Sequence, residues 1–301
     1  MPSALFRSSP NGAFTEVGRF LWIWPPFAPS TPDRGATVAF MSEQESTPIR
    51  VGVVGAGGRM GRAVCEAIDT DPGVQLVAAV DPHGAGTVMH AITVASDLRA
   101  IVDAGASVVV DFTDADAART TLPWLAEHRL HAVVGTTGFD ADDLDTFRSA
   151  FRSSNCIIAS NFAVSAVLMM RFAEMAAPWF ETAEIIELHH DQKIDAPSGT
   201  AVTTAERMAA ASADWSPDPT QHEVYPGARG GVGPAGIRVH SVRMRGMVAH
   251  QEVVLGTLGQ TLTIRQDSFD RLSYMPGVVL ACKHIADHPG LTLGLEHFLH
   301  V

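Results

Sequence analysis

Arg50-Val51-Gly52-Val53-Val54-Gly55-Ala56-Gly57-Gly58-Arg59-Met60-Gly61 decides the fold. Its first five residues read as a strand buried on both faces, and the glycines from Gly55 onward break that strand tightly. Residues 62–70 follow with Ala63, Val64, Ala67 and Ile68 at helical spacing, and residues 74–80 form a second apolar strand that ends at Asp81. The unit is strand, glycine-rich turn, helix, strand. Glycines in such a turn let the backbone approach a pyrophosphate seated on the helix N-terminus, and a carboxylate about 20 residues further on can bond the adenosine ribose. The spacing has a departure. Gly55 and Gly57 begin G-x-G-x-x-G, but Met60 stands where the third glycine belongs, whereas Gly55, Gly58 and Gly61 fit G-x-x-G-x-x-G. A bare glycine turn also occurs for purely structural reasons; the flanking strands and Asp81 are what favour a dinucleotide. Arg59, beside the phosphates, can grip a pyrophosphate or a 2′-phosphate.

The alternation continues downstream. Residues 107–112 read as a strand, 115–128 as a helix, and 131–134 as a strand ending in Gly135-Thr136-Thr137-Gly138. Residues 142–151 are helical, and 156–159 form a strand ending in Ser160-Asn161-Phe162. This predicts an α/β protein with a Rossmann-type, doubly wound parallel sheet whose strand ends line a cofactor crevice. Thr136 and Asn161 are candidates for the nicotinamide half, although either also suits a simple turn. A helix over 163–180 precedes a change of character. Residues 237–245, 248–255 and 261–264 read as strands separated by Gly246 and by residues 256–259, short links that predict antiparallel neighbours in a second α+β domain with a mixed or antiparallel sheet. Neither face of 237–245 is solvent-like, so helices and another subunit are expected to cover the two faces. Residues 271–288 read as a helix opened or kinked by Pro276-Gly277, returning to the first sheet. The expected division is 49–162 and 271–301 for the dinucleotide, and 163–270 for substrate and oligomerisation.

The chemistry is placed in residues 185–201, Ile-Ile-Glu-Leu-His-His-Asp-Gln-Lys-Ile-Asp-Ala-Pro-Ser-Gly-Thr-Ala. The stretch begins as a strand with Ile186 and Leu188 on one face and Ile185 and Glu187 on the other. His189 and His190 end it, and Lys193 lies just beyond. Pro197-Ser198-Gly199-Thr200 reads as a helix start in which Ser198 caps and the amides of Gly199 and Thr200 stay free for an anion. A proton donor, an ammonium and an anion-binding turn thus fall within a dozen residues, which suits a small anion that is both gripped and protonated. Taken singly, a histidine pair is as often structural, and a lysine is usually a solvated charge. A metal site is disfavoured because no third ligand stands at usable spacing.

Composition narrows the classes. The 301 residues are 46% hydrophobic and 18% charged, as in a globular protein with an ample core, and the net charge of −12 argues against a nucleic-acid surface. No apolar run reaches membrane-spanning length. Cys65, Cys156 and Cys282 are too few and scattered for a disulfide framework and are expected to be reduced and structural, in a cytoplasmic protein. Residues 1–48 carry Pro25, Pro26, Pro29 and Pro32 and a short apolar cluster at 20–24 without sustained period. They are expected to be a disordered extension, with Met41 as a candidate true start.

The segments Val53 to Gly61, Asp111-Phe112-Thr113, Val134 to Phe139, Ser160-Asn161-Phe162 and, most specifically, Glu187 to Ala201 resemble the dihydrodipicolinate reductase family over about residues 49–300. The resemblance implies reduction of a cyclic dicarboxylate, 4-hydroxy-tetrahydrodipicolinate, by NADH or NADPH in bacterial diaminopimelate and lysine synthesis. It implies His189 as proton donor or acceptor, assisted by Lys193, with His190, Ser198, Gly199 and Thr200 holding substrate. Gly55, Ala56, Gly57, Gly58, Arg59, Met60, Asp81, Gly135, Thr136, Thr137, Ala159, Ser160, Asn161 and Phe162 would bind the cofactor. No metal is implied, and a homotetramer joined through its substrate-domain sheets is. Asp81 stands where some members have Glu followed by a basic residue, with His83 the nearest counterpart here, so the choice between nucleotides stays open. Two other readings compete. A semialdehyde dehydrogenase needs a cysteine nucleophile in the crevice, where Cys156 is badly placed. A redox-sensing regulator would bind the dinucleotide without turnover and would not need the His-His-Lys and Ser-Gly-Thr set.

Overall fold

A computed structural model describes residues 47–299; the expected extension falls outside them, apart from Thr47 and Pro48. The chain opens with β1 (Ile49–Val54), α1 (Arg59–Thr70) and β2 (Val74–Val80). A small hairpin of β3 (Val88–Met89) and β4 (Ile92–Thr93) and a short α2 (Arg99–Asp103) lead to β5 (Val108–Asp111). Next come α3 (Ala115–Glu127), β6 (His131–Val134), α4 (Ala141–Ala150) and β7 (Cys156–Ile158). The second half holds α5 (Val164–Ala176), β8 (Thr182–His189), α6 (Gly199–Ala211), β9 (Gly231–Val232), β10 (Arg238–Arg243), β11 (Ala249–Thr257) and β12 (Gln260–Ser268). It closes with α7 (Met275–His284) and β13 (Leu291–Leu293).

The first sheet runs β2-β1-β5-β6-β7-β13 and is parallel throughout. Alternate residues of its strands point into two apolar layers. Val51, Val53, Val108, Val110 and Val133 pack with α1 and α7, while Val54, Val109, Ala132 and Val134 pack with α2, α3 and α4. From β1 the chain moves one way to β2 and then crosses back to β5, so the crevice between the C-terminal ends of β1 and β5 is a topological switch point. β13 completes the far edge against β7. It escaped the sequence reading because three residues are too short to show a period.

The second sheet runs β12-β11-β8-β10-β9. Here the expected antiparallel pairing of residues 237–245 with 248–255 fails. β8 lies between those strands, parallel to β10 and antiparallel to β11. Arg243 and Ala249 both pair with His189, and the Met244 amide donates to the His189 carbonyl at 3.0 Å, so residues 244–248 arch over the end of β8 instead of closing a hairpin. β11 and β12 are the antiparallel neighbours that their short link predicts. Ile185, Val239, Val253 and Leu255 face α5 and α6 in the core, while Ile186, Leu188 and Val254 on the other face are half-buried.

Two helices are shorter than their patterns. α5 stops at Ala176 because Pro178 cannot continue it, and a single 3-10 turn, Ala177–Trp179, follows. The span 271–288 divides into a 3-10 turn (Arg271–Tyr274), α7, which Pro276 opens, and a second 3-10 turn (Ile285–Asp287). α1 begins earlier than expected, at Arg59, directly after the turn. Gly61 lets that happen. A Cβ there would lie 2.1 Å from the Gly55 carbonyl oxygen, and backbone cannot yield, whereas a Cβ at Gly199 meets nothing within 4 Å. Gly61→Ala is therefore expected to cost about 1–3 kcal/mol of stability in urea unfolding, and Gly199→Ala less than about 0.5 kcal/mol. Equal midpoints for the two variants would refute this account of the turn.

Candidate active site

The glycine turn is closed by its own backbone. Gly55, at φ +76°, takes a left-handed conformation that a side chain would strain. The amides of Gly55 and Ala56 donate to the Val80 carbonyl at 2.9 and 3.2 Å, and Gly58 donates to the Gly55 carbonyl at 3.0 Å. Gly57 donates instead to Oδ2 of Asp81 at 2.9 Å, while Oδ1 of Asp81 accepts from the amides of His83 (2.9 Å) and Gly84 (3.2 Å). The ribose candidate is thus held rigidly against the phosphate turn. α1 has Gly58 as N-cap, without a side-chain cap, and carries no acid in its first turn. The first helical donor is Arg62, whose amide reaches the Gly58 carbonyl. The amides of Arg59, Met60 and Gly61 are left as donors at the positive end of the helix, and the exposed Arg59 adds a cation. This donor set fits a dinucleotide pyrophosphate.

A cleft of about 670 Å³ adjoins the turn. Met60, Phe112, Gly135, Ala159, Ser160 and Phe162 line it from the first sheet's side, and His189, His190, Lys193, Val248, Ala249 and Ser268 from the second. Phe269, Asp270, Arg271 and Tyr274, between β12 and α7, complete the wall. Gly135 leaves room for the Phe112 ring, from which a Cβ would be only 2.0 Å away. Other candidates turn inward. Thr136 is buried and its hydroxyl donates to Asp111 Oδ1 at 2.9 Å, alongside the Thr113 amide and hydroxyl at 3.0 and 2.7 Å. Burial pushes the Asp111 carboxyl above the usual range. Thr137 is exposed and Ala56 fully buried. Asn161 accepts from the Ala163 amide at 2.8 Å and donates to the Thr200 hydroxyl at 3.3 Å. Asn161 and Thr200 line a smaller recess of about 50 Å³, which shares Ala159 and Ser160 with the cleft and includes the ion-paired Arg207 and Glu296.

His189 ends β8 with Nδ1 2.5 Å from Oε2 of Glu187. Glu187 is fully buried, and Arg243 grips both its oxygens at 2.8 Å. The Ser198 amide adds a bond to Oε1 at 3.2 Å. Burial opposes the charge on Glu187, but Arg243, Ser241 and His189 outweigh it and hold the carboxyl below the usual range. Because that carboxylate accepts, Nδ1 of His189 donates. Burial, with the neighbouring Lys193 and Arg243 cations, outweighs the pull of Glu187 and lowers the imidazole below its ordinary value. The resting ring is neutral near pH 7, and its Nε2 has no hydrogen-bond partner among the described residues.

The loop after β8 carries the remaining parts. Lys193 Nζ lies 2.8 and 2.7 Å from the two oxygens of Asp195, and Arg243 also donates to the Asp195 carbonyl at 2.6 Å. The buried Ser198 caps α6 by accepting the Ala201 amide at 3.3 Å, so its hydroxyl is engaged in the cap, and neither Ser198 nor Gly199 is among the residues that line the cleft. The amides of Gly199 and Thr200 have no partner among the described residues. His190 is exposed at the cleft. Sequence reasoning passed over Glu187 and Arg243. The available signal was alternation: a carboxylate sharing a buried face with Ile185 and His189 needs a cation. The three cysteines are buried, and burial pushes the Cys65 and Cys282 thiols up to about 12 and Cys156 well above its ordinary value. None is a ready nucleophile. Among the described residues no group of three His, Cys, Asp or Glu is placed to hold a metal ion, and no helix is long and apolar enough to cross a membrane.

Comparison with known proteins matches both halves of the chain to one family. The family model for the dihydrodipicolinate reductase N-terminus covers residues 49–162, and that for its C-terminus covers residues 165–299. The 4-hydroxy-tetrahydrodipicolinate reductase of Corynebacterium urealyticum is 49% identical over 258 residues, covering 83% of this chain and 98% of the relative. That of Nocardia farcinica is 50% identical with the same coverage. The dipicolinate-bound dihydrodipicolinate reductase of Paenisporosarcina sp. TG-14 superposes with a TM-score of 0.77 at 35% identity, over 83% of this chain and 99% of that one. An amine dehydrogenase from Mycobacterium smegmatis, at 13% identity and a TM-score of 0.58, shares the fold alone. The first half is an NAD(P)-binding Rossmann domain, and the chain belongs to the dihydrodipicolinate reductase family of oxidoreductases.

Proposed function

We propose that the chain reduces 4-hydroxy-tetrahydrodipicolinate to tetrahydrodipicolinate, consuming NAD(P)H and a proton and releasing water, in diaminopimelate and lysine synthesis. The observation that carries this reading is that His189 and Lys193 share one cleft with Met60 of the dinucleotide turn and with the strand ends at Phe112, Gly135 and Ala159. Residues 49–162 and 271–299 would hold the nucleotide, and 163–270 the substrate.

When bound, the nicotinamide supplies the hydride. Reduction of the conjugated imine left by loss of water gives an enamine-like anion that has to be protonated on carbon. His189 presents the free Nε2 for that proton. The ring rests neutral, so it loads a proton once the substrate's carboxylates offset the Lys193 and Arg243 cations that disfavour its charge. Lys193 exchanges Asp195 for a substrate carboxylate, and the Gly199 and Thr200 amides take the other, which orients the ring. His189→Ala and Lys193→Ala are each expected to lose ~10²–10⁴-fold in turnover with NADH affinity nearly unchanged. The check is NADH oxidation with substrate generated by the upstream synthase; full turnover in either variant strikes that residue from the mechanism. In the free protein the His189 ring should titrate below about 6.5 by NMR, and adding pyridine-2,6-dicarboxylate should move it upward. A value above 6.5 without ligand contradicts the burial argument.

Two finer points belong to the same reading. The Asp81 carboxylate, fixed beside the Gly57 amide, repels a 2′-phosphate, so NADH is the preferred donor. Asp81→Ala should shift the ratio of kcat/KM values toward NADPH by about tenfold, or ~1.4 kcal/mol; an unmoved ratio assigns selectivity elsewhere. The protein is also proposed to act in the cytoplasm as a homotetramer joined through the second sheet. The support is the outer face of that sheet, where Ile186, Leu188 and Val254 stay half-buried in the single chain. A monomer in dilute-solution scattering would remove the assembly.

A further inference from the structure

We infer that the buried Glu187–Arg243 pair is a positioning device for the reaction: it holds the proton of His189 on Nδ1, so that Nε2 is the atom offered to the cleft, and it locks the anion-binding turn into the same frame. This rests on the role proposed above for His189. The geometry that carries it is the convergence of three elements on one carboxylate. Oε2 of Glu187 faces His189 Nδ1, from its own strand, at 2.5 Å. Arg243 closes a two-pronged bond from β10. Oε1 takes the Ser198 amide at the start of α6. Through its second prong Arg243 also holds the Asp195 carbonyl, next to the carboxylate that pairs with Lys193. The acid, the ammonium loop and the free amides of Gly199 and Thr200 are therefore referred to one fixed point.

The tautomer follows from chemistry. A bidentate guanidinium keeps Glu187 ionised, an ionised carboxylate only accepts, and the ring nitrogen facing it has to be the one with hydrogen. The charged groups around the ring are Glu187 on β8, Arg243 on β10, and Lys193 and Asp195 in the loop; β11 contributes the uncharged Ala249. His190, Asp270, Arg271 and Tyr274 line the cleft opposite and beside it. Of these, the Glu187 carboxylate is the one bonded to the ring and favouring its cation.

Nitrogen-15 NMR of the unmodified protein tests the inference without any variant. Near neutral pH, Nδ1 of His189 should carry the proton and Nε2 should not; the reverse overturns it. Glu187→Gln keeps the shape but removes the charge and admits an amide donor facing Nδ1. Its kcat should fall ~10²–10⁴-fold, with substrate KM within about threefold of the original and NADH affinity unchanged. The alkaline limb of kcat should move to lower pH, because the charge that favoured the imidazolium is gone. The glutamine carbonyl still accepts the Ser198 amide and so keeps the turn in place, and in a His189→Ala background the same change should therefore cost no further turnover. Unaltered kcat and pH limb in Glu187→Gln, or a further loss in the double variant, overturns the positioning role. Full turnover in His189→Ala alone instead defeats the catalytic reading of His189, and this inference falls with it. Should Glu187→Gln fail to fold, the NMR result decides.

Discussion

Glu187 is an ionised group with no solvent-exposed surface, and the second half of the molecule is arranged to satisfy it. A buried charge without partners costs several kcal/mol, so its bonds have to be good ones. They come from β8 itself, from the start of α6 only 11 positions on, and from β10, 56 positions away, which meet beside His189. β8 can serve as that meeting point because it is the central strand, flanked by β10 on one side and β11 on the other. The arch over its end fixes where the strand stops and where the imidazole is presented. Fold and site are here one constraint seen at two scales.

The nucleotide half obeys a different one. Its turn is fixed from below by the Asp81 carboxylate and offers a ligand the backbone donors left over because α1 starts without a side-chain cap, with Arg59 beside them. That economy depends on Gly61, where the helix runs too close to Gly55 for any side chain. The two halves share one continuous apolar cluster that takes in Val53 and Ile185, and polar links from Asn161 to Thr200 and from Arg207 to Glu296 add to it beside a cleft that both walls share. A rigid phosphate cradle and a rigid acid-base frame, built on one packed core and facing a common cleft, suit a protein that takes two different molecules into one space.

Much of this was legible in the residues. The β1–α1–β2 unit declares itself because buried parallel strands are continuous apolar runs, and glycines clustered between such a strand and a helix serve a close approach of backbone to ligand. Residues 185–201 declare themselves because histidine, lysine and a helix start are rarely so close without a shared purpose. What stayed hidden was long-range. Link length argued for a hairpin between β10 and β11, but link length says nothing about a third strand already holding the place between them. The Ser198 hydroxyl makes the cap that the helix start predicts, by accepting the Ala201 amide, whereas Thr136, a candidate for the nicotinamide half, spends its hydroxyl on Asp111; a polar side chain at a strand end does not disclose which way it points. Arg243 could not be matched to Glu187 by spacing, since 56 positions separate them. Only the period-two alternation hinted that Glu187 faced inward beside His189.

The closed pairing of Lys193 with Asp195 has a consequence for selectivity. At Lys193 an incoming monoanion only replaces one carboxylate with another on the same ammonium, an exchange with almost no net gain in Coulomb energy. A molecule bearing a second carboxylate at the right distance also reaches the unpaired amides of Gly199 and Thr200, and there the interaction is new. On the proposed reading, Asp195 works as a resident competitor that makes ordinary cellular monoacids poor occupants and leaves the cleft to compounds with two negative ends.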